Sequence, residues 1–172
     1  DPGGDLDRIF RGIDEAEIEV EKILLTHGHI DHAGAADELR RELGVKIEGP
    51  HKADALLLDN LEKQGEMYGI PDVRNVKPDR WLDDGDVVTV AGHTFNIFHC
   101  PGHSPGSVVF FDAAQRFALV GDVLFRGSIG RTDFPYGDHD ALIAAIKTKL
   151  LPLGDDIAFI CGHGPPGQFG QE

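Results

Sequence analysis

Within six positions, 27 to 32, the chain places His27, His29, Asp31 and His32, in the stretch THGHIDHAG. Three further places set one histidine or aspartate just after an apolar run: IFHCPGHS gives His103, ALVGD gives Asp122 and FICGHG gives His163. Imidazole nitrogens and carboxylate oxygens are the donors that zinc, iron and manganese accept. Five of the nine histidines fall in these places, beside Gly or Pro residues that let the backbone turn tightly and approach a ligand closely. Seven donors exceed what one four-coordinate ion takes, so the set suits two divalent ions. In His-x-His, alternate side chains of an extended segment point the same way, so His27 and His29 can hold one ion. Asp31 and His32 then turn toward a second, and Asp122 has two oxygens with which to bridge. Such a pair could share a hydroxide, because one ion alone brings the pKa of its water to about 7.

The elements that carry these donors are legible from periodicity. VEKILLT (20–26) reads as a strand that ends where the histidines begin. Before it, DLDRIFRGI (5–13) spaces Leu6, Ile9, Phe10 and Ile13 on one helical face; after it, AGAADELRRELG (33–44) reads as a helix closed by Gly44. VKIEG is a short strand, and residues 51–68 read as helix in two pieces. DGDVVTVAGHTFNIFHC predicts a hairpin, and SVVFFDAAQRFALVGD a second strand pair. DHDALIAAIKTKLLPLG predicts an amphipathic helix stopped at Pro152, and IAFICGHG a final strand. This is a mixed α/β order with hairpins, not a purely parallel doubly wound sheet; two sheets with helices outside accommodate it.

At 172 residues and 41% hydrophobic, the chain is read as one domain, 1–172. A formal net charge of −14 opposes nucleic acid or an anionic membrane as partner, since both need a cationic footprint. Two cysteines, Cys100 and Cys161, make no disulfide framework, which points to a reducing, cytoplasmic setting. The chain opens at Asp1 on a DPGGD turn with no strand in front of it, so a longer parent chain is expected and strand 20–25 is expected to show an open, apolar edge.

His-x-His-x-Asp-His, followed by a lone His, a lone Asp and a last His, resembles the metallo-β-lactamase superfamily. DPGGD, ILLTHGHIDHAGAA, CPGHSPGSVVFF, GDVLFRGSIGRTDFP, GDHDALI and GHGPPGQFGQE resemble more closely its small bacterial glyoxalase II-type hydrolases, which lack the large C-terminal helical domain. The likeness spans essentially the whole chain. It implies a four-layer αββα sandwich with the metal site along one edge. It implies that His27, His29 and His103 hold one ion, that Asp31, His32 and His163 hold the other, and that Asp122 bridges. Asp1 matches a family position that hydrogen-bonds near the metals. The implied enzyme is a dinuclear metal-dependent thioester hydrolase converting S-lactoylglutathione to lactate and glutathione. In it Asp31 orients the attacking water and Asp122, the other catalytic carboxylate, sits between the ions. β-Lactamases of the superfamily lack an aspartate at the bridging position, which points away from antibiotic hydrolysis. Two departures stand out: the family's two strands before DPGG are absent, and the family continues past FGQE.

Arg131 lies near the position where glyoxalase II sets a basic residue against the glycine carboxylate of glutathione; the other reading of it is an ion pair with Asp133. Arg126 could line the same edge. Two other readings remain open. A mononuclear-iron persulfide dioxygenase of the same superfamily would use His27 or His29 with His103 and Asp122. A non-catalytic, metal-stabilised binding module would close its coordination with fewer groups than are present. Cys100 and Cys161 read as free thiols, and His51, His93, His99 and His139 as turn, strand-end or helix-start residues.

Overall fold

The period of two along the strands sorts their apolar side chains into separate cores, and these define the layers. In the computed structural model, which describes residues 1–172, β1 (Lys22–Leu24) pairs in parallel with β2 (Lys46–Glu48). The larger sheet has the order β10-β9-β6-β5-β4-β3. Its strands are β3 (Val87–Val90), β4 (His93–His99), β5 (Val108–Asp112), β6 (Phe117–Gly121), β9 (Ala158–Cys161) and β10 (Gly167–Gln168). A separate hairpin joins β7 (Leu124–Phe125) to β8 (Ser128–Ile129). The helices are α1 (Leu6–Ala16), α2 (Ile30–Ala33), α3 (Ala36–Leu43), α4 (Ala55–Leu58), α5 (Leu61–Tyr68) and α6 (His139–Ala145).

Strand β5 shows how the layers stack. Val109 and Phe111 join Leu142, Ala145 and Leu150 beneath α6. Val108 and Phe110 point the other way, into a core with Phe95, Ile97 and Leu24. Strand β6 repeats the division, with Ala118 and Val120 toward α6 and Phe117 and Leu119 on the opposite face. In β1, Leu24 meets the larger sheet, whereas Ile23 and the following Leu25 pack on Ala33, Ala36, Leu39, Leu58 and Leu61 of the helices. The order is helix, sheet, sheet, helix, as the family resemblance implies. Phe110 is fully buried between the sheets, and truncating it to Ala would cost about 3–5 kcal/mol.

β6 and β9 run parallel, so the chain must cross over between them, and it does so through the β7–β8 hairpin and α6. That crossover carries residues 123–157 past the mouths of the strands that bear the donors. The helix expected to run to Pro152 is shorter. It is α-helical only to Ala145, then widens to a π turn over Ile146–Leu150 and tightens to a 3-10 turn over Leu151–Leu153. Thr148 Oγ1 donates to the Ala144 carbonyl at 2.7 Å, in competition with the backbone ladder. Pro152 has no N–H with which to continue it. The edge of β1 away from β2 faces a cavity of about 540 Å³ lined by Ile9, Ile13, Val20, Leu24, Leu119 and Ile160.

Candidate metal centre

Every strand that ends in a donor ends at the same edge, and the seven donors named from the sequence meet there. One donor atom each from His27, His29 and His103 lies within 4.8 Å of the others, and Asp31, His32 and His163 form a second such group. His29 Nδ1 is 3.0 Å from His103 Nε2; His163 Nε2 is 3.2 Å from His32 Nε2 and 3.1 Å from Asp31 Oδ2. Asp122 stands between the groups. Its Oδ1 is 3.4 Å from His32 Nε2, and its Oδ2 is 3.5 Å from His103 Nε2 and 3.6 Å from His163 Nε2.

Asp1, His27 and His32 also come within such a distance, but the Asp1 carboxylate is already engaged. Its Oδ1 accepts from the Thr26 N–H at 2.7 Å and its Oδ2 from the Thr26 hydroxyl at 2.6 Å. His32 Nδ1 lies 3.0 Å from the same Oδ2. Asp1 therefore orients His32 rather than joining its ligand group.

The protein partners fix which ring nitrogen of each imidazole is free. The Thr26 hydroxyl donates its hydrogen bond to Asp1, so its oxygen accepts from His27 Nδ1 at 3.0 Å. His103 Nδ1 donates to the Arg131 carbonyl at 2.9 Å, and His32 Nδ1 to Asp1. Each of these rings then turns an Nε2 lone pair inward. His27 Nε2 and Asp122 Oδ1 are buried with no hydrogen-bond partner, a condition that costs about 1–3 kcal/mol per group unless something satisfies it. Converging lone pairs, a buried carboxylate oxygen and no donor among them fit a divalent cation.

Burial holds the His27 imidazole well below the usual histidine range, and the neighbouring His32, His29, His103 and His163 push it the same way. His29 is lowered to about 4, by burial first and then by His103. His32 is also lowered by burial, which outweighs the opposing pull of Asp122 and Asp31. At neutral pH these rings are uncharged, as a metal ligand must be.

Two features that sequence reasoning missed hold the donor loops in register. Asp54, fully buried just before α4, accepts from Gly28 N at 2.8 Å, Ser104 Oγ at 2.8 Å and Gly106 N at 2.5 Å. It thus ties the loop bearing His27 and His29 to the loop bearing His103. Burial raises its pKa, against the three hydrogen bonds that lower it. It accepts and never donates, the pattern of an ionised carboxylate. Nothing in HKADALLL marks this aspartate out from a helix-start residue. The second feature is Gly162: a Cβ there would stand 2.2 Å from Asp122 Oδ1 and 2.5 Å from His32 Cε1. Only a glycine lets the end of β9 come this close to the ligands.

A cavity of about 610 Å³ opens onto both groups, walled by Tyr68, Phe125, Ile129, Arg131, Phe134 and Tyr136. Phe134 and Tyr136 stack at 5.3 Å and 19°, and the Tyr136 hydroxyl is 2.7 Å from His29 Nε2. Tyr136 was not singled out from the sequence, because an aromatic residue in a loop carries no periodic signal. Arg131 lines the cavity with its guanidinium 4.5 Å from the centre of the Phe134 ring. It also forks onto Asp133 at 2.6 and 2.7 Å, so the ion pair anticipated for it exists. Arg126 is exposed at the β7–β8 turn and does not line this cavity. The remaining histidines stand apart: His51 and His99 stack on each other at 4.0 Å, His93 bonds Asp112 at 2.7 Å, and His139 begins α6. Both cysteines are free. Burial pushes the Cys100 thiol up to about 12, and Cys161 Sγ donates to the His163 carbonyl at 2.9 Å.

Comparison with known proteins places this geometry. The chain is 46% identical over 173 residues to the Haemophilus influenzae protein named hydroxyacylglutathione hydrolase GloC, matching all of this chain and 82% of that one. Among solved structures, the B3 metallo-β-lactamase BLEG-1 superposes with a TM-score of 0.89 at 38% identity, over 99% of this chain and 82% of its own. TTHA1623, solved in a di-iron-bound form, superposes with a TM-score of 0.88 at 34% identity, over 99% of this chain and 83% of its own. The family profile described as Metallo-beta-lactamase superfamily matches residues 1–163, and the chain belongs to that superfamily.

Proposed function

We propose that this member of a metallo-hydrolase superfamily is a dinuclear thioester hydrolase that cleaves glutathione-derived thioesters, S-lactoylglutathione being the reference substrate, in the cytoplasm. The observation that carries the reading is Asp122, whose two oxygens face the two histidine groups at 3.4–3.6 Å. His27, His29 and His103 would hold one ion and Asp31, His32 and His163 the other, with Asp122 shared; zinc, iron and manganese all suit these donors. When bound, such a pair supplies Lewis acidity and makes water acidic enough to serve as nucleophile near neutral pH. The name of the relative, hydroxyacylglutathione hydrolase, supports the choice of a glutathione thioester as substrate.

The chain's own residues account for the remaining requirements. The Asp31 side chain is about half exposed at the cavity floor, where it can accept a hydrogen bond from the attacking water and so aim it. Arg131 is the one Lys or Arg lining the cavity. Its pair with Asp133 is solvent-exposed on both sides, and such pairs are weak enough to open for a substrate carboxylate. Phe134 and Tyr136 offer an apolar wall for the thioester stem.

The test is metal analysis of protein purified without added metal, followed by three assays: absorbance loss of a glutathione thioester, oxygen uptake with glutathione persulfide, and hydrolysis of a β-lactam. Thioester turnover without oxygen uptake, in protein holding two ions, is expected. Oxygen uptake confined to an iron form would reverse the assignment in favour of a persulfide dioxygenase. β-Lactam cleavage outpacing thioester cleavage would shift it toward the activity for which BLEG-1 is named.

A further inference from the structure

Of the imidazoles in the first ligand group, two have their outer nitrogen bonded to the chain near the strand ends: His27 to Thr26 and His103 to the Arg131 carbonyl. His29 is different. Its Nδ1 faces inward, 3.0 Å from His103 Nε2, and its Nε2 meets a side chain from the crossover loop, the Tyr136 hydroxyl, at 2.7 Å. We infer that Tyr136 is a positioning residue for the first metal site: its hydroxyl accepts the Nε2–H of His29 and so holds that ring with the Nδ1 lone pair toward His27 and His103. This rests on the two-metal reading above.

The chemistry follows from the two neutral forms of imidazole. With the proton on Nδ1, His29 would aim it at His103 Nε2, an acceptor because His103 Nδ1 is already donating. That hydrogen bond would consume two of the three lone pairs of the group and close it to a cation. With the proton on Nε2, the phenol oxygen accepts it and Nδ1 is left open. The partner of the outer nitrogen thus biases which form prevails. The hydroxyl is then turned so that its own proton points away from His29, and Tyr136 lines the cavity.

The loop holds the phenol in place through backbone contacts independent of any ion. Asp138 N donates to the Gly102 carbonyl at 2.9 Å, beside His103, and Gly137 N to the Phe134 carbonyl at 2.8 Å. Gly137 is required at that turn, since a Cβ there would fall 2.2 Å from the Thr132 carbonyl oxygen. Phe134 stacks on the Tyr136 ring and lies 5.0 Å from the His29 ring.

The experiment is stepwise zinc titration against a chromophoric chelator, using the parent, Tyr136→Phe and Tyr136→Ala, with thermal melts to confirm folding and cobalt substitution to report ligand geometry. Tyr136→Phe keeps the ring and loses only the acceptor. One of the two binding steps should weaken by about 10–100-fold, the other should stay at the parent value, and the cobalt visible spectrum of the weakened site should change. Tyr136→Ala must weaken the same step. Parent-like affinity at both steps in Tyr136→Phe would overturn the inference while leaving the two-metal reading intact. A parent that binds fewer than two ions would instead overturn that reading, and the inference with it.

Discussion

Replacing Asp54 is the sharpest test of how this fold builds its site, because the residue touches no proposed substrate or ion. Asp54→Ala would leave Gly28 N and Gly106 N without their acceptor, while Ser104 Oγ keeps a second partner in Ser107 Oγ at 2.7 Å. Two buried N–H groups left unpaired cost about 1–3 kcal/mol each. Relief of the carboxylate's own burial, visible in its raised pKa, offsets part of that. A net loss of about 2–4 kcal/mol results, or a fall in Tm of about 5–15 °C for a domain of this size. Asp54→Asn separates hydrogen bonding from packing. Its shape is the same, yet its amide NH2 must face either the Gly106 N–H or the Gly28 N–H and Ser104 hydroxyl, donor against donor, so it should not restore the parent stability.

The assay is urea denaturation of metal-free protein, with exposed Asp83→Asn as control, followed by zinc titration of each variant. Because Asp54 links the His27–His29 loop to the His103 loop, the binding step that uses those three residues should weaken along with the fold. A loss below about 0.5 kcal/mol in Asp54→Ala, within the range of ordinary surface substitutions, would refute the reasoning. So would an Asp54→Asn protein as stable as the parent.

Three further outcomes are expected. Asp122→Ala should lower metal content at both sites and reduce turnover more than Asp31→Ala or any single His→Ala, and equal losses across the series would count against a shared carboxylate. His51, stacked on His99, has its pKa lowered chiefly by burial; its folded value lies below its unfolded one, so the unfolded chain binds the extra proton first and stability falls as pH drops through the histidine range. His51→Asn, which can keep an acceptor for Ala53 N, should flatten the loss of urea midpoint between about pH 7 and pH 5, and an unchanged slope would remove His51 from the account. A thiol reagent should modify Cys161 alone in the native protein and both cysteines in denaturant, because Cys100 is buried with its thiol pushed up to about 12; rapid native modification at both positions would contradict the packing.

The strands were readable as apolar runs between turns, whereas the four-layer stacking was legible only through the family resemblance, because the order of elements merely accommodates it. Val108 to Phe111 are buried on both faces and read as a continuous apolar run, and the β3–β4 hairpin fell where its Gly-containing turn put it. The donors were readable because histidines and aspartates after apolar runs are costly unless something requires them there. What escaped were features whose cause is tertiary. The β7–β8 hairpin and β10 have two residues per strand, too few to show a period. In the π turn after Ala145, Thr148 bonds back to Ala144, a choice the helical pattern of the segment does not reveal. Asp54 and Tyr136 act across 26–52 and 107 positions of chain respectively, so no local motif contains both ends of either contact.

Charge gives these distant residues a common reason. Two divalent ions would bring four positive charges to a region where burial holds His27, His29 and His32 below the usual histidine range, helped at His27 and His29 by neighbouring imidazoles. Four carboxylates stand in or directly behind the site: Asp31 and Asp122 among the ligands, Asp1 behind His32, and Asp54 between the two loops. Together they gather carboxylate oxygens around the positions the ions would take. Without such partners a cation pair in this partly buried site would be costly to desolvate, and without the cations the clustered carboxylates would repel one another. The acidic surface of the chain cannot supply this balance, because water and salt screen it within about 10 Å. The carboxylates therefore have to be local, and the chain supplies them from four separate segments that only the fold brings together.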